Sequence, residues 1–336
     1  MRNPVRTTAT LFSGVARTAI ICMITLLPCA QAADKQLHIG ILSSGSEATR
    51  GGLEHSLLQS LRERGYVEGK NLVVERRYFS TDFSVRAPKF AHELAGMKLD
   101  AIITTCSPTT ITAKRATSSI PIVMAAVSDP VGQNIISSLA KPGQNVTGSS
   151  SQAEDLLPKR LELLVELVPK ARTVAVFANA NNPVHALGWR RLEAAAQTLK
   201  IRLLKFEVHP PGGIPAGFEA AVQAQAGALL VMPDDPFFYN TRALIVELAA
   251  KYRLPDFYWA SEYVEDGGLM SYGENLSSSY RGVAAYIDKI AKGSNPATLP
   301  VAQPTIFELV VNKTTARTLG ITIPGEILLR ADKVIE

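Results

Sequence analysis

From Leu37 onward, short apolar runs alternate with amphipathic segments, and no other feature of this 336-residue chain restricts its folding as much. Apolar runs bounded by turn residues read as strands buried on both faces, and the segments between them carry apolar residues at helical spacing. The pattern predicts strands over 37–42, 72–76, 101–104, 122–126 and 146–147, with helices over 52–64, 86–95 and 109–116. Leu53, Leu57, Leu58 and Leu61 mark the first helix, and Gly65 ends it. A second series follows Pro158: helices over 159–167, 186–199, 218–224 and 241–252, with strands over 173–177, 202–207, 228–232 and 256–259. Strands that alternate with helices form a parallel sheet covered on both faces. The expected class is therefore α/β, with two doubly wound parallel-sheet lobes. Residues 99–129 and 227–262 both run strand, polar loop, helix, Leu/Ile-Pro, strand, polar loop, which is a repetition of architecture. No long linker separates the halves, so a cleft between closely joined lobes is expected. Beyond it come a helix over 279–292 and a tail, 306–329, with two further apolar runs.

The first 32 residues read as an export signal. Arg2, Arg6 and Arg17 precede or flank an uncharged apolar run over 18–27, too short to span a bilayer, and Ala30-Gln31-Ala32 supplies the small-x-small cleavage pattern. Cleavage is expected after Ala32 and a periplasmic location follows; an uncleaved anchor, or lipid attachment at Cys29, are the alternatives. Cleavage removes Cys22 and Cys29, leaving Cys106 with no partner for a disulfide. It also removes three arginines, which lowers the formal charge from +5 to +2. No basic run with interleaved aromatics remains, and nucleic acid is not expected as a partner.

In open parallel sheets ligands bind beyond the carboxyl ends of the strands, so the loops there hold the candidates. Ser43, Ser44, Gly45 and Ser46 follow the first strand; Thr105, Cys106 and Ser107 follow the third and lead into Pro108 as a first helical residue, with Ser107 as cap. Hydroxyls and free N–H groups at a helix start suit a carboxylate, although ordinary capping explains Ser46 and Ser107 equally well. Asp129, Asn179, Asn182 and Asp234 sit in loops that contain proline. The carboxylates suit a ligand ammonium and the amides suit directional hydrogen bonds, while Asp and Asn before Pro are also common turn residues. Aromatic residues gather later, at Phe237, Phe238, Tyr239, Phe257, Tyr258, Trp259, Tyr263 and Tyr272. Tyr258 and Tyr272 are the better cleft candidates because each has a polar end; core packing is favoured for Phe257 and Trp259.

Catalytic patterns are sparse. His38, His55, His92, His185 and His209 lack metal-ligand spacing, and GxSxG, a GxGxxG after the first strand and GxxxxGK[ST] are missing, so no metal, cofactor or turnover is expected. One enzyme reading remains open. Cys106 at a strand end is similar to a racemase thiol, but the equivalent loop of the second half holds Asp234.

Several stretches carry a resemblance: Arg64-Gly65-Tyr66-Val67-Glu68-Gly69-Lys70-Asn71, Ser128-Asp129-Pro130-Val131-Gly132, Lys141-Pro142-Gly143-Gln144-Asn145-Val146-Thr147-Gly148, Gly267-Gly268-Leu269-Met270-Ser271-Tyr272-Gly273 and Leu328-Leu329-Arg330-Ala331-Asp332. Through them nearly the whole chain beyond residue 39 resembles the ABC-transporter substrate-binding family, whose characterised relatives bind tryptophan and related aromatic amino acids. The resemblance implies a type I periplasmic-binding-protein fold, with lobes at 33–150 plus 275–302 and at 151–274 plus 303–336, joined by three crossings. It also implies a small-molecule solute, a permease and an ATPase as partners, and action as a monomer. Its ligand loops fall on Ser43, Ser44, Gly45, Ser46, Thr105, Cys106, Ser107, Val127, Asp129, Asn179, Asn182, Asp234 and Tyr272. Many relatives have Gly-Thr-Pro where this chain has Cys106-Ser107-Pro108, which leaves the solute open. The ligand-sensing half of a receptor would need the same fold and export.

Overall fold

The structure, a computed structural model, describes residues 36–80, 83–182, 184–210 and 212–336. The expected export signal, its cleavage after Ala32 and the Cys29 alternative lie outside the described residues. Five strands, β1 (Leu37–Ser44), β2 (Leu72–Phe79), β3 (Ala101–Thr104), β4 (Ile122–Ser128) and β5 (Val146–Ser151), form a parallel sheet in the order β2-β1-β3-β4-β5. Helices α1 (Glu47–Glu63), α2 (Phe83–Ala95) and α3 (Ser107–Ala116) alternate with them. The strand β1 outlasts its apolar run because Ser43 and Ser44 still pair with Tyr78 and Phe79. The helix α1 starts earlier than its leucines indicate. Ser46 Oγ accepts from the Thr49 N–H at 3.3 Å and Thr49 Oγ1 from the Ser46 N–H at 2.9 Å, a reciprocal cap that sets the start ahead of Gly51 and Gly52.

The second half supplies α4 (Leu157–Leu167), β6 (Thr173–Asn179), α5 (Val184–Leu199), β7 (Arg202–Val208), α6 (Gly213–Gln223), β8 (Ala228–Val231), α7 (Pro236–Asn240), α8 (Arg242–Lys251), β9 (Asp256–Tyr258), α9 (Ser261–Glu265) and β10 (Met270–Glu274). Then come α10 (Leu276–Ala291), β11 (Phe307–Asn312), α11 (Lys313–Leu319), α12 (Gly325–Arg330) and β12 (Lys333–Ile335). The seven-stranded sheet has the order β12-β11-β10-β9-β8-β6-β7. One expectation needs correction: this sheet is not wholly parallel, since β11 runs antiparallel to β10. The reason is topological. The chain leaves this sheet at Glu274 and returns at the same edge, where Phe307 pairs with Glu274, so β11 must run back down.

The intervening helix α10 lies on α1 and against β4 and β5. Ser60 Oγ donates to the Arg281 carbonyl at 3.1 Å, the Tyr66 hydroxyl to Asp288 at 2.9 Å, and Arg281 pairs with Glu63 at 2.8 Å. Each sheet is buried on both faces, as its apolar strands require. One face of the first sheet packs Ile102, Ile122 and Met124 on Ala91, Leu94 and Ala113. The other packs Ile39, Ile41 and Ile103 under Leu53, Leu57 and Val283, and this layer is continuous with Phe177, Phe218 and Tyr258 of the second sheet. Each such leucine removed from water stabilises by about 1.5–3 kcal/mol. The shared layer means that the two halves are in contact along their facing edges. No helix among the described residues is long and apolar enough to cross a membrane.

Candidate functional site

Where the carboxyl ends of the two sheets face each other, the chain leaves a small cavity of about 20 Å³, about the room of a single water. The first half contributes Arg50, Thr105, Cys106 and Ala126, the second Asp234, Asp235, Tyr239 and Trp259, and α10 adds Leu276 and Tyr280. Two non-glycine residues on this wall, Ala126 (φ 54°) and Asp234 (φ 51°), hold a left-handed backbone. Ala126 lies in the register shift between Met124 and Val127, which turns it out of the β4 ladder. Strain of this kind concentrates at functional positions.

Arg50 dominates the electrostatics. It is 6% exposed, its Nε donates to the Ser44 carbonyl at 3.0 Å, and its guanidinium carbon stands 4.2 Å from the Tyr239 ring centroid. No carboxylate of the described residues lies within ion-pairing distance of it. A buried guanidinium without an anion is costly to fold, so a ligand anion is the natural occupant. Thr105 and Tyr280 border the same end of the cavity. Burial pushes the Tyr280 hydroxyl up to about 12, which keeps it a donor.

The second half presents two buried acids, Asp234 and Asp235. Burial pushes the Asp234 carboxyl well above its usual range, the charge of Glu154 adds to that, and the Ser107 hydroxyl opposes it. Ser107 Oγ donates to Asp234 Oδ2 at 2.9 Å and accepts from Gln133 Nε2 at 3.0 Å, so a hydrogen bond spans the two halves. Asp235 is held beneath by Asn179 Nδ2 at 3.0 Å and Asn182 Nδ2 at 2.9 Å, and its other oxygen caps α7 through the Phe237 N–H at 2.9 Å. His185 completes this support. Its Nδ1 accepts from the Asn179 N–H at 3.0 Å, which leaves Nε2–H to donate to the Pro233 carbonyl at 3.0 Å, and burial lowers its pKa.

Of the residues expected from sequence, Thr105, Cys106 and Asp234 line the cavity. Ser107 reaches it as the bridge to Asp234 but is not the helix cap, which corrects that expectation: α3 begins at Ser107, Cys106 is the cap residue, and Thr109 Oγ1 accepts from both the Thr105 and Cys106 N–H groups at 3.2 Å. Ser43 stands just behind, accepting from Thr105 Oγ1 at 3.3 Å; Ser44 offers its carbonyl to Arg50; Gly45 passes close to Asn240; Ser46 caps α1. Val127 points into the core behind the sheet. Asp129 is exposed and accepts from the Gly132 N–H at 2.9 Å, a turn role. Asn179 and Asn182 spend their amides on Asp235. Tyr272 packs beside Phe307, and its carbonyl accepts from Arg160. Tyr258 spends its hydroxyl on Asp256 at 2.6 Å, while Trp259 at the strand end faces the cavity, the reverse of the expectation. The reading from sequence missed Arg50. The signal was there, because a charged residue three before Leu53 and seven before Leu57 stands on the buried face of α1.

Cys106 is 3% exposed, and burial pushes its thiol up to about 11. A neutral thiol is a poor base and nucleophile. Native protein at pH 8 should therefore resist Ellman's reagent and react fully only after denaturation; rapid labelling of native protein would contradict this placement.

Two facing α/β lobes around a cavity in which Arg50, without an ion-pair partner among the described residues, stands against Asp234 and Asp235 define a small-solute binding protein. The chain belongs to the ABC transporter substrate binding protein family, whose profile matches residues 40–335. It is 24% identical over 289 residues to a tyrosine-binding protein of Clostridioides difficile, covering 85% of this chain and 81% of that protein. It is 25% identical to a Streptococcus pneumonia ABC domain solved in complex with L-Trp, covering 89% of this chain and all of that one, with a TM-score of 0.82. Against the ligand-free, open structure of a Clostridium difficile substrate binding protein with adhesive properties the identity is also 25%, with coverage of 89% and 99%, but the TM-score is 0.64. At equal identity the arrangement of this chain is nearer the complex than the open form. The fold is the type I periplasmic-binding fold.

Proposed function

We propose that this protein is the extracytoplasmic binding component of an ABC importer, and that it captures an aromatic α-amino acid between its lobes and delivers it to the permease. The observation that carries the reading is Arg50, a buried guanidinium with no ion-pair partner among the described residues, opposite Asp234 in a cavity walled by Tyr239, Trp259 and Tyr280. A ligand carboxylate on Arg50, an ammonium on Asp234 and a flat side chain among the rings satisfy all three. The tyrosine-binding and L-Trp-bound relatives support the same class of solute.

In this reading the lobes are 33–150 with 275–302 and 151–274 with 303–336. The export signal is cleaved after Ala32 to release a periplasmic monomer, and the ATPase partner supplies the chemistry of transport. Binding ends in release rather than turnover, consistent with a thiol at Cys106 held neutral and an acid, Asp234, in the equivalent loop of the other lobe. The sites are Ser43, Thr105, Ser107, Asp234 and, added by the geometry, Arg50, Tyr239, Trp259 and Tyr280.

Thermal-shift titration with the twenty amino acids, tyramine, tryptamine, aromatic keto acids, purines and sugars tests the reading. Tyrosine, tryptophan or phenylalanine should stabilise by about 2.7 kcal/mol at a hundred times Kd, with the amines and keto acids much weaker. Stabilisation by a sugar or purine and by no amino acid would replace this solute class.

A further inference from the structure

Away from the cavity wall, a cluster of buried charges lies at and beside the segments that join the sheets, 152–156, Glu274-Asn275 and 299–306. Arg160 on α4 is 1% exposed. Its Nε donates to the Tyr272 carbonyl at 2.7 Å and its Nη1 to the Ala153 carbonyl at 2.5 Å, so one guanidinium ties the 152–156 connection to the strand β10 that leads into the next, and its Nη2 has no acceptor among the described residues. Glu154 and Glu274, 3% and 6% exposed, face it. Each has one buried oxygen without a hydrogen-bond partner, while Glu274 Oε2 accepts from Ser279 Oγ at 2.9 Å. A small void beside them is lined by Ser151, Ala153, Glu274, Phe307 and Trp259, so Trp259 divides the ligand cavity from the hinge.

The remaining charges do not neutralise this group. Asp155, next to Glu154, is paired outward with Arg191 at 2.8 Å. Asp234, whose carboxyl Glu154 helps to push up, is a further buried acid within electrostatic reach of Glu154. On β11, Glu308 is turned to Asn275 Nδ2 at 2.8 Å. One guanidinium therefore faces two buried carboxylates, with a third acid nearby. Burial pushes Glu154 and Glu274 above the ordinary carboxylate range and Arg160 down to about 10.

We propose that closure of the lobes is linked to proton uptake at a hinge cluster, in which the buried carboxyls of Glu154 and Glu274 gather around Arg160 beside the connections and the closed form takes up on the order of one proton. This rests on the binding reading above, since closing is the step that encloses solute. Opening lets water reach the two carboxylates, which then ionise at ordinary values. A carboxylate that holds its proton more tightly when closed favours closure as pH falls from neutral. The effect levels off near about 4.3, where the open form is protonated too. Its limit is about tenfold in the closing equilibrium per pH unit for each proton.

The test is interlobe energy transfer in the ligand-free full chain, with one exposed label on each lobe, between pH 8 and 5. The wild type should close progressively as pH falls, and the Glu154→Gln, Glu274→Gln double variant should be closed at pH 8 with a flat profile. A wild-type profile flat over this range would overturn the proposal without need of any variant. Dependence lost in Asp234→Asn but kept in the double variant would also overturn it. Because no solute is used, the outcomes separate: pH-linked closure with no solute bound by any compound tested defeats the binding reading alone, and solute binding with pH-invariant closure defeats the hinge alone.

Discussion

Replacing Arg50 with methionine should weaken amino-acid binding by at least about 30-fold yet leave the ligand-free protein at least as stable as the wild type. The two effects have opposite signs for one reason. Without ligand, the direct partners of the buried guanidinium among the described residues are the Ser44 carbonyl and the Tyr239 ring, with the Glu262 carboxyl acting from farther off, so an apolar side chain of similar length removes a buried charge that lacks an ion pair. With ligand, the same group makes the charge-assisted contact to the carboxylate. Truncating one partner of such a buried pair costs about 2–5 kcal/mol, or roughly 30- to 5000-fold in Kd. Arg50→Lys should fall between, because it keeps the charge and loses the planar fork. Calorimetric titration and thermal melts of the three proteins check this together. Methionine variant affinity within about fivefold of wild type would remove Arg50 from the site.

Gly273→Ala is expected to be the most disruptive single-methyl change near the site. A Cβ there would lie 1.9 Å from the Trp259 carbonyl oxygen and 3.0 Å from its carbon, and backbone cannot yield as a side chain does. The strand β10 is fixed to β9 by the Ser271–Tyr258 pairing, so the added methyl must separate the strands and displace Trp259 from the cavity wall. A loss of about 3 kcal/mol or more follows, lowering Tm by roughly 6–12 °C, with altered Trp259 emission and weaker binding. Gly282→Ala on α10 is the contrast. That glycine is exposed, its Cβ would meet nothing within 4 Å, and alanine should stabilise the helix by about 0.5–1 kcal/mol. Denaturant unfolding of both variants measures the difference; equal effects would mean that the close approach at Trp259 is not as described.

The βαβ order was legible because apolar runs buried on both faces leave a strong local pattern. Element edges were not, because they depend on side-chain bonds: the Ser46–Thr49 cap that starts α1, and the polar residues Ser43 and Ser44 that prolong β1. The five-residue helices α7 and α9 are too short for periodicity to register. For the cavity, strand order pointed to loops that line it but not to which of their side chains do. Asp129 and Asp234 look alike in sequence, yet one folds back on the Gly132 amide in solvent while the other is buried against Ser107 of the opposite half. Asn179 and Asn182 are consumed in holding Asp235 of the loop that lines the cavity. Trp259 and Tyr258 are adjacent, and the end of β9 between them decides which side chain packs in the core. Such choices are made by contacts across the lobes, over separations that no local window contains.

The central claim is that the cavity takes an amino acid with its carboxylate on Arg50, and a crystal structure of the protein with its best-stabilising solute tests it most directly. The account predicts the carboxylate within about 3 Å of the Arg50 guanidinium, the ammonium on Asp234, and the side chain against Tyr239 and Trp259. A solute bound outside this cavity, or seated in it with Arg50 still lacking an anion, would contradict it.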